Sequence, residues 1–126
     1  MKISIDLNGT FYYKPEFFQW FASAMQLAGH TVGILTGHNA TSETHDRVKL
    51  ARLFYFYPDF YLGRTEEYLP FNGAKFKCDM IRKHSIDIHF DDMDYDNPDT
   101  VHIFNENLDV LSKVFTVNCV TKKDVI

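Results

Sequence analysis

The chain has 126 residues and carries 13 Lys and Arg against 17 Asp and Glu, a formal charge of −4. That length suits one domain with its own core, and 45% hydrophobic with 24% charged residues is a globular rather than a disordered composition. The acidic balance without a basic stripe argues against nucleic acid as a partner, no apolar run reaches the length of a membrane span, and Cys78 and Cys119 lack disulfide-framework or zinc spacing.

The N-terminal MKISIDLNG meets an acid at Asp6 before any apolar h-region forms, so no secretory signal is expected and a reducing, cytoplasmic setting follows. Residues 2–6 alternate as a short strand that runs into a turn at Gly9. Pro15 and Glu16 then start a helix whose apolar stripe is Phe17, Phe21, Ala24, Met25 and Ala28, closed by Gly29. Residues 31–36 are a short apolar run followed by Gly37, the pattern of a buried parallel strand. A polar stretch leads into a helix over 43–54 that ends before Pro58, and 59–63 reads as a third strand. Residues 64–73, with Pro70 and Asn72-Gly73, read as an irregular connection, and 74–84 return to a helical pattern. Residues 86–90 alternate as a strand that ends in Asp91-Asp92; 101–104 and 114–120 are expected as further strands. Strands alternating with helices imply an α/β fold with a mainly parallel sheet of about five strands.

Ligands of open α/β sheets bind beyond the carboxyl ends of the strands. Those ends here carry Asp6, Thr36 and the pair Asp91 and Asp92, and the helix over 74–84 carries Lys75 and Lys77. If the first and fourth strands are neighbours, their carboxylates lie about 5 Å apart. Carboxylates so close repel one another and favour a hard cation such as Mg²⁺, which takes one or two protein carboxylates with waters and a phosphate.

Four segments stand in a telling order: Asp6-Leu7-Asn8-Gly9-Thr10, Ile34-Leu35-Thr36-Gly37, Lys77, and Asp91-Asp92-Met93-Asp94-Tyr95-Asp96. Each is short, but together, in order and at strand ends, they resemble the four motifs of the haloacid dehalogenase (HAD)-like superfamily. The resemblance covers residues 6–96 and implies a three-layer Rossmann-like fold with strand order 5-4-1-2-3 and a Mg²⁺-dependent phosphohydrolase. By it, Asp6 is the nucleophile that forms an aspartyl-phosphate. Asp6, the main-chain carbonyl of Asn8 and Asp92 would hold Mg²⁺, with Asp91 behind them or as the alternative ligand. Thr36 and Gly37 would meet the phosphoryl oxygens. Lys77, or Lys75 as the alternative, would balance their charge, and Asp96 would orient its loop. The substrate would be a phosphorylated small molecule.

One position departs from that pattern. The superfamily's phosphatases usually carry an acid/base aspartate two residues after the nucleophile, where this chain has Asn8. An amide donates hydrogen bonds but does not exchange a proton at neutral pH. The alternative implied is a domain that binds phosphate and metal with little turnover. A phospho-acceptor receiver domain uses similar residue types, but in a different chain order.

The remaining residues point elsewhere. His38 and His45 are seven apart but straddle a helix start, which argues against zinc; His30, His84, His89 and His102 read as structural or exposed. The aromatics are unusually many, 1 Trp, 7 Tyr and 12 Phe, and Phe17, Phe18, Trp20 and Phe21 exceed one helix stripe. Core packing accounts for most of these aromatics, with a substrate mouth or a homo-oligomer contact as the alternative. Residues 1–126 are expected to form one domain with no room for a large cap, which leaves water exclusion to residues such as Phe11 to Tyr13, to a second subunit or to the substrate itself.

Overall fold

A computed structural model of the chain describes residues 1–93 and 98–117. It is an α/β fold in three layers. The strands are β1 (Lys2–Ile5), β2 (Thr31–Asn39), β3 (Tyr61–Arg64), β4 (Ile88–Asp91) and β5 (Val114–Thr116). They form one sheet in the order β3-β2-β1-β4-β5, and every neighbouring pair is parallel. Read from its other edge, this is the expected order 5-4-1-2-3.

Parallel pairing requires each connection to cross back over the sheet. Helices α1 (Pro15–Leu27), α2 (Glu43–Phe54), α3 (Gly73–Lys83), α4 (Pro98–Asn105) and α5 (Leu108–Leu111) lie in those crossovers. Alternation along the strands decides what each face receives. Ile3, Ile5, Val32 and Ile34 point to one side, where Phe18 and Ala22 of α1, Leu50 of α2, and Phe11 and Phe56 close the first core. Leu35 points to the other, with Phe76, Met80 and Ile81 of α3, Ile86, Phe104 of α4 and Val110 of α5. Gly33 also belongs to this second face and leaves room for Phe60, whose ring would lie 2.4 Å from a Cβ at that position.

The structure corrects one expected strand. Residues 101–104 are not extended; they lie within α4, where Thr100 and Phe104, four apart, are the buried positions. Val101, Ile103 and Phe104, β-branched or aromatic, favour a strand by local preference. A fifth parallel strand beside β4 needs a helical crossover in this place, and burying Phe104 against α3 supplies it. The last strand ends at Thr116; its expected extension over 118–120 lies outside the described residues. β2 runs past its expected end to Asn39, with its pairing to β3 shifted between Thr36 and Asn39. No helix among the described residues is long and apolar enough to cross a membrane.

The packing of Gly33 on Phe60 yields a test of this core. Gly33→Ala forces the Phe60 ring to move and should cost about 1–3 kcal/mol of unfolding free energy, read from urea denaturation; a variant as stable as the native chain would show that the ring is not so confined.

Candidate functional site

β1 is the middle strand, and its last residue hands the chain to a five-residue turn, Leu7–Phe11. Asp6 closes the strand by donating its backbone N–H to the Phe90 carbonyl (2.9 Å), while its own carbonyl receives the Phe11 N–H (3.1 Å). Asn8 and Gly9 depart from helical geometry, and Gly9 has φ +75°. A Cβ at Gly9 would sit 2.3 Å from Asp92 Oδ2. Glycine is therefore required twice over, by backbone sign and by the carboxylate against it. Thr10 ties the same turn to the end of β4 by accepting the Asp92 N–H (3.0 Å).

Because Ile5 pairs with Phe90, the residues after them emerge side by side. Asp6, Asp91 and Asp92 each offer a carboxylate oxygen, and the three oxygens lie within 4.8 Å of one another. Lys77, from the second turn of α3, reaches between them: its Nζ is 2.6 Å from Asp91 Oδ2 and 3.3 Å from Asp6 Oδ1. Lys75 instead pairs with Asp79 in solvent at 3.4 Å, so Lys77 is the lysine the fold brings to the cluster.

Asp91 is the most heavily engaged of the three acids. Its Oδ2 accepts from Lys77 and faces His89 Nε2 at 2.8 Å, and its Oδ1 accepts the Met93 N–H at 2.8 Å. His89 is fully buried, and its Nδ1 lies 2.7 Å from the hydroxyl of Ser4, its cross-strand partner. Burial lowers the His89 pKa, which favours the neutral ring. A neutral ring that accepts from Ser4 at Nδ1 donates from Nε2 to Asp91.

The carboxylates divide in their proton affinity. Burial raises Asp6 to about 8 against the pull of Lys77, with Asp91 and Asp92 adding to the rise. Burial and the charge of Asp91 raise Asp92 to about 6. Burial would raise Asp91 as well, but Lys77 and the His89 hydrogen bond outweigh it and hold Asp91 well below the ordinary carboxylate range. For Lys77, burial opposes the charge, and the attraction of Asp6 and Asp91 prevails, so its pKa is raised. Carboxylates that resist ionising together are the donor set a hard cation relieves. Asp6 and Asp92 fit that role best, since Asp91 is already held by Lys77, His89 and Met93.

These groups share a cavity of about 440 Å³ that also holds Asn8, Thr36, Gly37 and His38. Thr36 is buried at the carboxyl end of the main run of β2, and its Oγ1 accepts the His38 N–H at 3.1 Å, leaving its O–H to donate. The expected residues Asp6, Asn8, Thr36, Gly37, Lys77, Asp91 and Asp92 therefore line one cavity. Asp94 and Asp96 lie outside the described residues. Phe11 does not shield the site: it is fully buried in the first core, stacked on Phe18 and Phe56.

The rim comes from residues that sequence patterning passed over. Arg64, Asn72 and Thr100 line the cavity, and Asn72 caps α3 by accepting the Ala74 N–H at 2.8 Å. His38, set aside as a zinc ligand, lies with its Nε2 2.8 Å from the Asn8 amide nitrogen and its Nδ1 3.0 Å from Asp46 Oδ2. Tyr61 donates its hydroxyl to the same Asp46 oxygen. The available signal was a histidine two residues beyond Thr36 at a strand exit. Its partners come from α2 and β3, and spacing does not show them.

Comparison with protein-family models, with curated proteins and with solved structures found no match to this chain.

The raised carboxylates predict how stability varies with pH in metal-free buffer. An aspartate raised on folding contributes its full stability below its unfolded pKa and loses it as pH rises through the folded value. For Asp6 that loss runs from near 3.8 to about 8. Asp91, shifted the other way, weakens the fold only in acid, and Lys77, raised, only in strong alkali. His89, lowered from 6.5, adds stability with rising pH below that value and offsets part of the loss there. The melting temperature in EDTA should therefore fall between about pH 6.5 and 8, before the raised Cys78, Tyr12 and Tyr61 begin to act above about pH 9, and Asp6→Asn should flatten that fall. A native melting temperature that is constant or rising over that interval would contradict the assigned burial of charge.

Proposed function

We propose that this chain is a divalent-cation-dependent phosphohydrolase that works through an aspartyl-phosphate on Asp6, in the manner of the HAD-like superfamily its motifs resemble. The observation that carries the reading is the buried Asp6 carboxylate at the end of the middle strand, 3.3 Å from the Lys77 ammonium and close to Asp91 and Asp92 in one polar cavity.

The chemistry follows from what each group can do. An Asp6 oxygen attacks phosphorus in line, the bond from phosphorus to the leaving oxygen breaks, and that oxygen departs with the electron pair. Water then attacks the phosphorus of the aspartyl-phosphate and expels the Asp6 carboxylate, releasing inorganic phosphate. Lys77 is fixed by its two ion pairs, so its charge faces the phosphoryl group without reorganising. Thr36 donates its hydroxyl to a phosphoryl oxygen. A cation such as Mg²⁺, held by Asp6 and Asp92, would offset the burial and mutual repulsion that raise their pKa values and balance phosphoryl charge. The cavity volume, about 440 Å³, suits a phosphorylated small molecule.

Turnover of a phosphomonoester panel with and without Mg²⁺ tests the reading. The native chain should hydrolyse activated esters only with the cation, and Asp6→Asn should lower the rate by at least about 10³-fold. Asn8→Asp should raise turnover of alkyl esters, whose leaving oxygen needs a proton, up to about 10²-fold. Activity that survives Asp6→Asn would remove the nucleophile assignment. A silent native chain that gains activity only as Asn8→Asp would favour a phosphate-binding domain without turnover.

A further inference from the structure

Asn8 cannot exchange a proton, yet the residue its amide contacts can. We infer that His38, held by Asp46 and Tyr61, is the proton acceptor for the water that hydrolyses the phosphorylated form of the site. This rests on the phosphohydrolase reading above and assigns the proton-transfer role that reading leaves open.

The argument is one of hydrogen-bond polarity. Asp46 is buried, 3% exposed, on the inner side of α2. Burial and the Asp46 hydrogen bond raise the Tyr61 pKa, so its phenol stays a donor and Asp46 is the acceptor. The same carboxylate faces His38 Nδ1 at 3.0 Å, which places the ring proton on Nδ1. Nε2 is then the basic nitrogen, and it is the one that meets Asn8, a fellow lining residue of the cavity, whose amide donates to it at 2.8 Å. A carboxylate behind a histidine fixes both the tautomer and the ring orientation. His38 is also held through its main chain, its N–H bonded to Thr36 Oγ1, so the base moves as one piece with the residue assigned to the phosphoryl oxygen.

Asn8 is exposed, follows Asp6 by two residues in the chain and holds His38 Nε2 through its amide. A water that takes the place of the Asn8 amide at Nε2 gives its proton to that nitrogen while its oxygen attacks phosphorus. The bond from phosphorus to the Asp6 oxygen breaks, the carboxylate keeps the electron pair, and the His38 proton returns to solvent once phosphate leaves. No oxidant or further reactant is needed. The same polarity defines the substrate class. Nε2 in this tautomer has no proton to give in the first step, so the site favours leaving groups stable as anions, namely acyl phosphates, aryl phosphates and phosphoanhydrides, over alkyl phosphates.

Stopped-flow release of p-nitrophenolate from p-nitrophenyl phosphate separates the two steps, because this leaving group departs without a proton. His38→Ala should keep a burst of about one p-nitrophenolate per site at close to the native rate, with the steady-state rate after it lowered by about 10²–10⁴-fold. Added imidazole should restore part of that rate. Asp46→Asn, which keeps the ring but loses its orientation, should show the same separation with a smaller loss. His38→Gln, which can still hydrogen-bond Asn8, should behave as His38→Ala, so a folding failure of one variant does not decide the matter. Unchanged steady-state turnover in both His38 variants, or a burst that disappears together with the steady state, overturns the assignment. A native chain that gives no Asp6-dependent p-nitrophenolate overturns the phosphohydrolase reading first and this inference with it.

Discussion

The Lys77 ammonium, buried between Asp6 and Asp91, is the contact on which the rest of this site depends. Two neighbouring strands of a parallel sheet end on carboxylates, and a third carboxylate follows in the chain. Removed from water, three such charges cannot coexist without a cation among them. Lys77 meets part of that demand, and it does so unequally. It lies 0.7 Å closer to Asp91 than to Asp6, by the 2.6 and 3.3 Å contacts, and Asp91 is the acid held ionised while Asp6 and Asp92 are raised. One buried lysine thus leaves a site short of positive charge on the side where Asp6 and Asp92 face the cavity.

Behind that contact stands a chain of buried polar groups that would be costly if any link were missing. Ser4, His89 and Asp91 are each buried, and they satisfy one another across β1 and β4 before reaching Lys77. A fully paired polar chain holds its members in one arrangement, whereas a half-paired one weakens the fold. Its position inside the sheet's second face, beside the Leu35 and Phe76 core, explains why a strand otherwise built of Ile3 and Ile5 accommodates a serine. On the other side of Asp6, Tyr61, Asp46, His38 and Asn8 form a second chain of the same kind. Both converge on the cavity from opposite edges, one from β4 and one from β2 and β3.

The arrangement carries a cost in stability. Raised carboxylates weaken the fold at neutral pH, and a positive-φ Gly9 is spent on bringing the Asp92 carboxylate close. Strain and charge of this kind concentrate where a ligand relieves them. The two apolar cores, with Phe11, Phe18, Phe56, Phe76 and Phe104 fully or almost fully buried, supply the surplus that tolerates it.

Much of the fold was legible in the chain because strands announce themselves by alternation, as residues 2–6 and 86–90 do, or by a short apolar run, as 31–36 does, with 59–63 read as the third strand. The segment 101–104 was not, because its β-branched and aromatic residues state a local preference that the crossover to β5 overrides. By itself the sequence determined which oxygen groups stand at the strand ends, Asp6, Thr36, Asp91 and Asp92, because alternation and a following glycine or acid mark where a buried strand stops. Only the tertiary structure decided between Lys75 and Lys77, set Asp91 apart from Asp92, and turned His38 toward Asn8 with Asp46 behind it. Those outcomes depend on helix rotation over the sheet and on contacts between residues far apart in the chain, and neither leaves a period in the sequence.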